Sequence, residues 1–271
     1  MGKELSPILS LKCPNKMEKI DIIQYFKSLQ DQICEGIAEA DGQGSFKQDI
    51  WTRKEGGGGQ SRVIQHGKIL EKAGVNFSAV HGPLHPKMVT SLDVKEEVDF
   101  MATGVSIVMH PFNPWVPIIH MNVRYFELSN GQAWFGGGID LTPHIIIPEQ
   151  AKWFHQQVKA SCDGFGADVY TKYKTWADDY FFNTHRNETR GIGGIFFDYL
   201  KEDKVKTFDF VKSVGESFVP IYSHLMKANA ANYKHSQDVA KALLQAAEDA
   251  LEEADAELTK LKERFKKQAV A

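Results

Sequence analysis

In the stretch MHPFNPWVPIIHMNVRYFEL, residues 109–128, three side chains have types that could do chemistry. His120, Asn122 and Arg124 stand at every second position, and Ile119, Met121, Val123 and Tyr125 fill the alternate ones. Side chains alternate across a strand, so this spacing gathers an imidazole, an amide and a guanidinium on one face and apolar groups on the other. Periodicity alone is satisfied by a plain polar face turned to solvent. The neighbourhood suggests more. Pro111, Pro114 and Pro117 stiffen the approach to the strand, and Gly136, Gly137 and Gly138 fall on the expected return strand. Glycines weaken a strand, and they make sense where a flat ligand or another backbone must come close. A guanidinium beside an imidazole suits a carboxylate ligand.

Asp140 follows those glycines. It is either a turn aspartate before "LTP" or an acid or base beside a bound ligand. The intervening "SNGQ", residues 129–132, puts Asn-Gly between two extended runs, a strong hairpin signal. A two-residue turn at Asn130-Gly131 would set Asp140 opposite Met121 and turn it away from His120. A bulge within Gly136–Gly138 is expected to restore the parity and bring the two together.

Other constellations are weaker. His110, His120, His155 and His185 lack the spacing of any local metal motif. His155 shares a helix face with Val158 and Cys162, as a core histidine would, and Asp178 and His185 fall on one face of an expected helix. "EGGGGQSR" at 55–62 reads as a flexible linker; Arg53 and Arg62 beside it leave open an anion site built on backbone N–H groups. It is not a phosphate-binding P-loop, and no nucleophile elbow or dinucleotide fingerprint occurs.

These residues need a scaffold. Apolar spacing predicts a helix over 17–40 and a hairpin turning at His66-Gly67. Strands are expected over 103–110 and 118–128, with a return strand through "AWFGGGIDLTP". Helices follow over 148–162, 167–184 and 208–230, the last with a kink at Pro220, and "GIGGIFFDYL" reads as a strand. Hairpins dominate the first half. That predicts the α+β class, a mostly antiparallel sheet with helices packed on it. Residues 1–237 form one expected domain. Residues 238–271 differ: Leu244, Leu251, Leu258 and Phe265 recur every seven residues, and Ala240, Ala247, Ala254 and Leu261 fill the second heptad position. This predicts a coiled-coil-like helix with a narrow seam.

Composition excludes several classes. The 271 residues carry a net charge of −3 and no basic run except "KERFKK", so nucleic acid is not an expected partner. No apolar run is long enough to span a bilayer. Cys13, Cys34 and Cys162 are odd in number and far apart, and Pro7 interrupts the only apolar run of the N-terminus; a reducing compartment, the cytoplasm, is expected.

The longer motifs carry a resemblance. "GGGGQSRVI", "EKAGVNFSAVHG", "GVSIVMHPFNPWVPIIHMNVRYFE", "WFGGGIDLTP" and "WADDYFFNTHRNETRGIGGIFFDYL" resemble, in order and spacing, the oxygen-dependent coproporphyrinogen III oxidases of heme biosynthesis, over roughly residues 17–228. The resemblance implies a flat antiparallel sheet with helices on both faces, and a homodimer. It implies oxidative decarboxylation of two propionates of coproporphyrinogen III to vinyls, giving protoporphyrinogen IX, with O2 as co-substrate and no organic cofactor. By the same resemblance His120 is the proton donor and Asp140 engages the pyrrole N–H groups. Ser106, Asn122, Val123 and Arg124 contact substrate. His110, His120, His155 and His185 match ligands for a divalent metal proposed in some members. The family's usual C-terminal motifs are not found, and the heptad helix stands in their place. A non-catalytic scaffold that binds porphyrinogen and associates through this helix is therefore the second reading. A histidine-cluster metal enzyme acting on another carboxylated substrate is the third.

Overall fold

The computed structural model describes residues 17–92, 94 and 97–268. In chain order the elements are α1 (Lys19–Asp41), β1 (Lys47–Thr52), β2 (Gly57–Gln65), β3 (Leu70–Pro83), α2 (Pro86–Ser91), β4 (Asp99–Pro111), β5 (Ile118–Leu128), β6 (Ala133–Thr142), α3 (Pro148–Asp163), α4 (Val169–Tyr180), β7 (Phe182–Asn183), β8 (Glu188–Thr189), β9 (Gly193–Leu200) and α5 (Lys204–Gln268). Seven strands form one sheet in the order β1-β2-β3-β4-β5-β6-β9, and each neighbouring pair is antiparallel. The α+β reading holds.

Alternation divides the sheet into two unlike faces. On one, Val75, Val105, Ile107, Met109, Ile119, Met121, Val123, Tyr125, Ile139 and Ile195 are buried beneath α1, α3 and α5. α1 contributes Ile22, Phe26, Leu29, Ile33 and Ile37, the helical stripe read from sequence. α5 contributes Val211, Val214, Phe218, Ile221 and Leu225. Each such side chain stabilises the fold by about 1.5–3 kcal/mol when fully buried. Among the described residues the second face is covered only at its ends. At one end α2 and the segments flanking it lay Leu84, Val94 and Val98 over Leu128 and Trp134, with Val89, Phe100 and Phe126 packed alongside. At the far edge α4 wraps β9. Its Tyr173 meets Phe197 on the core side, and its Trp176 and Tyr180 meet Phe196 on the other. Helical elements thus stand on both faces, with an open strip between.

Several local readings are corrected. Three of the four glycines of "EGGGGQSR" are strand, not linker: Gly57, Gly58 and Gly59 pair with Val80, Ala79 and Ser78, and Gly56 lies in the turn before them. A side chain at Gly58 would strike the Trp51 carbonyl, and one at Gly59 the Phe77 carbonyl and the Trp51 ring. Arg62 bonds Asp31 and Gln48 and is not part of an anion site with Arg53. α4 stops at Tyr180, and the short β7–β8 hairpin follows, so His185 shares no helix face with Asp178.

α5 runs without a break through Pro220 and through the expected boundary at 237/238. Leu244, Leu251 and Leu258 on its distal part are exposed, and so are Ala247 and Ala254. The expected tail is a helix, but these seam residues pack on nothing among the described residues. Ala240, Leu261 and Phe265 lie outside the residues whose side chains are described, and Cys13 lies outside the described residues altogether.

Candidate active site

The strand register builds the site. Reading across β2 to β9, one row of the open face is Gly59, Ser78, Gly104, Arg124 and Gly136. The next is Ser61, Asn76, Ser106, Asn122, Gly138 and Phe196. A third is Val63, Gly74, Val108, His120, Asp140 and Gly194. Glycine recurs in every row, so much of this floor is bare backbone, a shape suited to a flat ligand. A groove of ≈ 430 Å³ runs over it, lined among others by Trp51, Arg53, Asn76, Ser106, Asn122 and Arg124.

His120 and Asp140 are directly opposed on β5 and β6 and share the open face. The β5–β6 ladder is regular through the three glycines, so the expected bulge there does not exist. Parity is set at the turn instead. Leu128 N–H bonds Gln132 and Gly131 N–H bonds Leu128, which leaves a three-residue loop, Ser129-Asn130-Gly131, with Gly131 at φ 88°. One extra loop residue shifts every partner by one and turns Asp140 toward His120. The interruption at the glycines lies on the other side, between β6 and β9, next to Tyr199 at φ 53°.

That β6–β9 irregularity has a purpose. Asp198 on β9 reaches across β6 and accepts from the Arg124 guanidinium at 2.6 Å, while Arg124 also donates to Asn122 Oδ1 at 2.8 Å. A Cβ at Gly136 would collide with Asp198 Oδ1 and lie 3.1 Å from the guanidinium carbon. Gly136 is therefore the gap through which residues of β5 and β9 join over β6.

At the adjoining corner Arg190, in the loop between β8 and β9, grips Asp140 with two bonds, Nε to Oδ2 at 3.0 Å and an Nη to Oδ1 at 2.7 Å. The bidentate geometry fixes the carboxylate. Arg190 itself lies over the Phe181 ring at 4.1 Å. Asp140 is nearly inaccessible, and His120 Nδ1 sits 3.4 Å from its Oδ2 without a hydrogen-bond partner. Sequence reasoning missed Arg190. Its only signal was the charge density of "THRNETRG", which fits a helix end equally well. Arg53, offered by the sequence with Arg62 for an anion site, lines the groove without Arg62; it lies over Phe100 at 5.8 Å on the same face.

The remaining expected residues divide. Ser106 and Asn122 are paired on the open face, whereas Val123 is fully buried on the core face, so its side chain cannot reach a ligand there. The four histidines do not form a cluster. His110 and His120 rings are 6.3 Å apart on the open face. His155 is half-buried on α3 with both ring nitrogens engaged, one by the Ile192 carbonyl and one by the Tyr170 hydroxyl, each at 3.0 Å. His185 is exposed in the β7–β8 turn. Among the described residues no three His, Cys, Asp or Glu side chains converge as metal ligands, and this donor set does not fit the metal site the resemblance implied. Burial, foremost, lowers the pKa of both His110 and His155; His120 and His144 lower His110 further, and Lys174 lowers His155.

Residues 21–244 match the model of the coproporphyrinogen III oxidase family. The chain belongs to that family. The mitochondrial oxygen-dependent coproporphyrinogen-III oxidase of Rattus norvegicus is 44% identical over 222 residues, which cover 77% of this chain and 50% of the rat protein. The chain thus spans about half the length of this curated relative of the coproporphyrinogen oxidase family. No helix among the described residues is long and apolar enough to cross a membrane.

Proposed function

We propose that the chain oxidatively decarboxylates two propionates of coproporphyrinogen III with O2, giving protoporphyrinogen IX. The observation that carries this reading is the meeting of His120, Asp140 and Arg190 beside a glycine floor that also bears Arg124. The substrate is a flexible apolar ring with four carboxylates. The bare floor leaves room for the ring. Arg124 and Arg53 lie where propionates would extend along the groove, and Asn122 and Ser106 offer further polar contacts.

Asp140 is the group that receives pyrrole N–H bonds, and Arg190 orients it; because Arg190 holds both oxygens of this nearly inaccessible carboxylate, the contact requires the partly exposed guanidinium to draw back from one of them. A pyrrole nitrogen that gives up its proton makes the ring electron-rich and open to oxidation by O2; O2 takes two electrons and, with two protons, leaves as H2O2, while the propionate loses a β-hydrogen and its carboxyl carbon leaves as CO2, so that a vinyl group remains. His120, next to Asp140, is the proton donor of this sequence. Orientation and electrostatic complementarity supply most of the acceleration. No step is routed through a divalent metal, since only His110 and His120 of the four histidines share a locale.

A second reading, porphyrinogen binding without turnover, draws on the internal pairing of both charged centres: Arg124 is held by Asp198 and Asp140 by Arg190. An aerobic assay of purified protein with coproporphyrinogen III, with an anaerobic control, separates the two. Oxygen-dependent protoporphyrin fluorescence supports catalysis; binding with no product under air supports the scaffold. Homodimerisation is proposed on the family resemblance. Cytoplasmic placement rests on the cysteine usage, and fractionation into mitochondria, the compartment in the rat relative's name, would overturn it.

A further inference from the structure

We propose that the distal part of α5 is an antiparallel self-association element whose register is set by charge. Every described side chain beyond Asn232 is exposed. Leu244, Leu251 and Leu258 are 63%, 66% and 47% accessible, one heptad apart on one helix. A line of large apolar side chains on a helix face is stable in water only when something covers it, and none of the described residues does.

Charge selects the occupant. Residues 248–257 hold six acidic and no basic groups, while residues 260–267 hold five basic groups and one acidic. A second copy running antiparallel lays each block against its opposite; a parallel copy lays like against like. The heptad then fixes the register. With the leucine series at position a, Asp255 and Lys262 are e positions and Glu257 and Arg264 are g positions. In antiparallel pairs e flanks e and g flanks g, beside seams where a meets d. When Leu258 of one copy meets Leu261 of the other, Asp255 faces Lys262 and Glu257 faces Arg264, twice each by symmetry. Sliding one heptad one way sets Asp255 on Asp255 and Glu257 on Glu257. Sliding the other way sets Lys262 on Lys262 and Arg264 on Arg264. Only one register satisfies all four flanking charges. The overlap from 251 to 268 is about 27 Å long.

The test uses full-length chains on a Cys13→Ser background, where the other two cysteines, Cys34 and Cys162, are buried. A Leu258→Cys chain and a Leu261→Cys chain are exposed separately and together to a glutathione redox buffer. The expected result is a disulfide-linked dimer in the mixture that is absent from either chain alone. Efficient linkage within each chain alone means a parallel pair and overturns the proposal. Charge variants guard against disruption by the cysteines. Asp255→Lys with Glu257→Lys, and separately Lys262→Glu with Arg264→Glu, should each weaken tail association in sedimentation by at least about tenfold, and mixing the two variants should restore it. Association should also fall with added salt. Sedimentation identical for the original chain, both charge variants and Leu251→Asp would show that the tail does not self-associate.

Discussion

β5 presents two faces that obey different rules. On the core side Ile119, Met121, Val123 and Tyr125 are at most 2% accessible, and their neighbours are helix side chains. On the open side His120, Asn122 and Arg124 are only partly covered, and their neighbours are glycines and paired charges. The core side shows alternating apolar residues closed over by amphipathic helices. The open side shows polar groups whose positions are held by other polar groups, Arg190 on Asp140 and Asp198 on Arg124. One strand thus carries stability on one surface and the proposed chemistry on the other, and the two should be separable by substitution.

The sharpest separation is Met121→Ala. Truncating this buried side chain should cost about 2–5 kcal/mol in denaturant unfolding, while the folded fraction keeps its affinity for coproporphyrin. A parallel loss of affinity would mean that the faces are coupled. Arg124→Ala should behave in the opposite way. Losing charge-assisted contacts should weaken coproporphyrin binding by about 1.5–3 kcal/mol, with little change in melting, because the side chain is partly solvated. Unchanged affinity would remove Arg124 from the site. Gly136→Ala lies between these. The added methyl displaces the Arg124–Asp198 bridge, and about 1 kcal/mol of stability or less should go with that partly exposed pair. Coproporphyrin affinity should fall with it, which titration of the same variant can check.

The smallest effect concerns His155, which belongs to the buried side. Burial lowers its pKa below the usual 6.5. The unfolded chain therefore takes the proton more readily than the folded one. This contribution to stability is complete above about pH 6.5 and is lost as pH falls through the unfolded value toward the depressed folded one. His155→Gln should flatten the dependence of unfolding free energy on pH below about 6.5. An equally steep slope would assign the acid sensitivity elsewhere, with His110 the next candidate because its pKa is lowered too.

How much was legible in the sequence follows from the range of the interactions. The alternation of β5, the stripe of α1 and the Asn-Gly hairpin are local patterns, and each appears where the spacing placed it. The facing of His120 and Asp140 was also foreseen, but for the wrong reason. A bulge and a longer turn correct parity equally well, and sequence does not distinguish a two-residue loop from Ser129-Asn130-Gly131. Arg190 and Asp198 were invisible because they act at long range, 50 residues from Asp140 and 74 from Arg124. The glycine run at 56–59 misled because four consecutive glycines look like a tether, whereas close packing against Trp51 and Phe77 demands the absence of side chains. The four histidines shared only a residue type, and the fold keeps His110 and His120 together while placing His155 and His185 elsewhere.

The central claim is that Asp140, oriented by Arg190 beside His120, engages the pyrrole nitrogens of a bound porphyrinogen. Its most direct test is the aerobic turnover number of Asp140→Asn relative to the wild-type chain, measured on coproporphyrinogen III with both proteins folded and saturated. The expected result is a fall of roughly 10²-fold or more, the scale of losing a positioned acid–base group. Equal turnover by the two proteins, or a wild-type chain with no turnover at all, would contradict it.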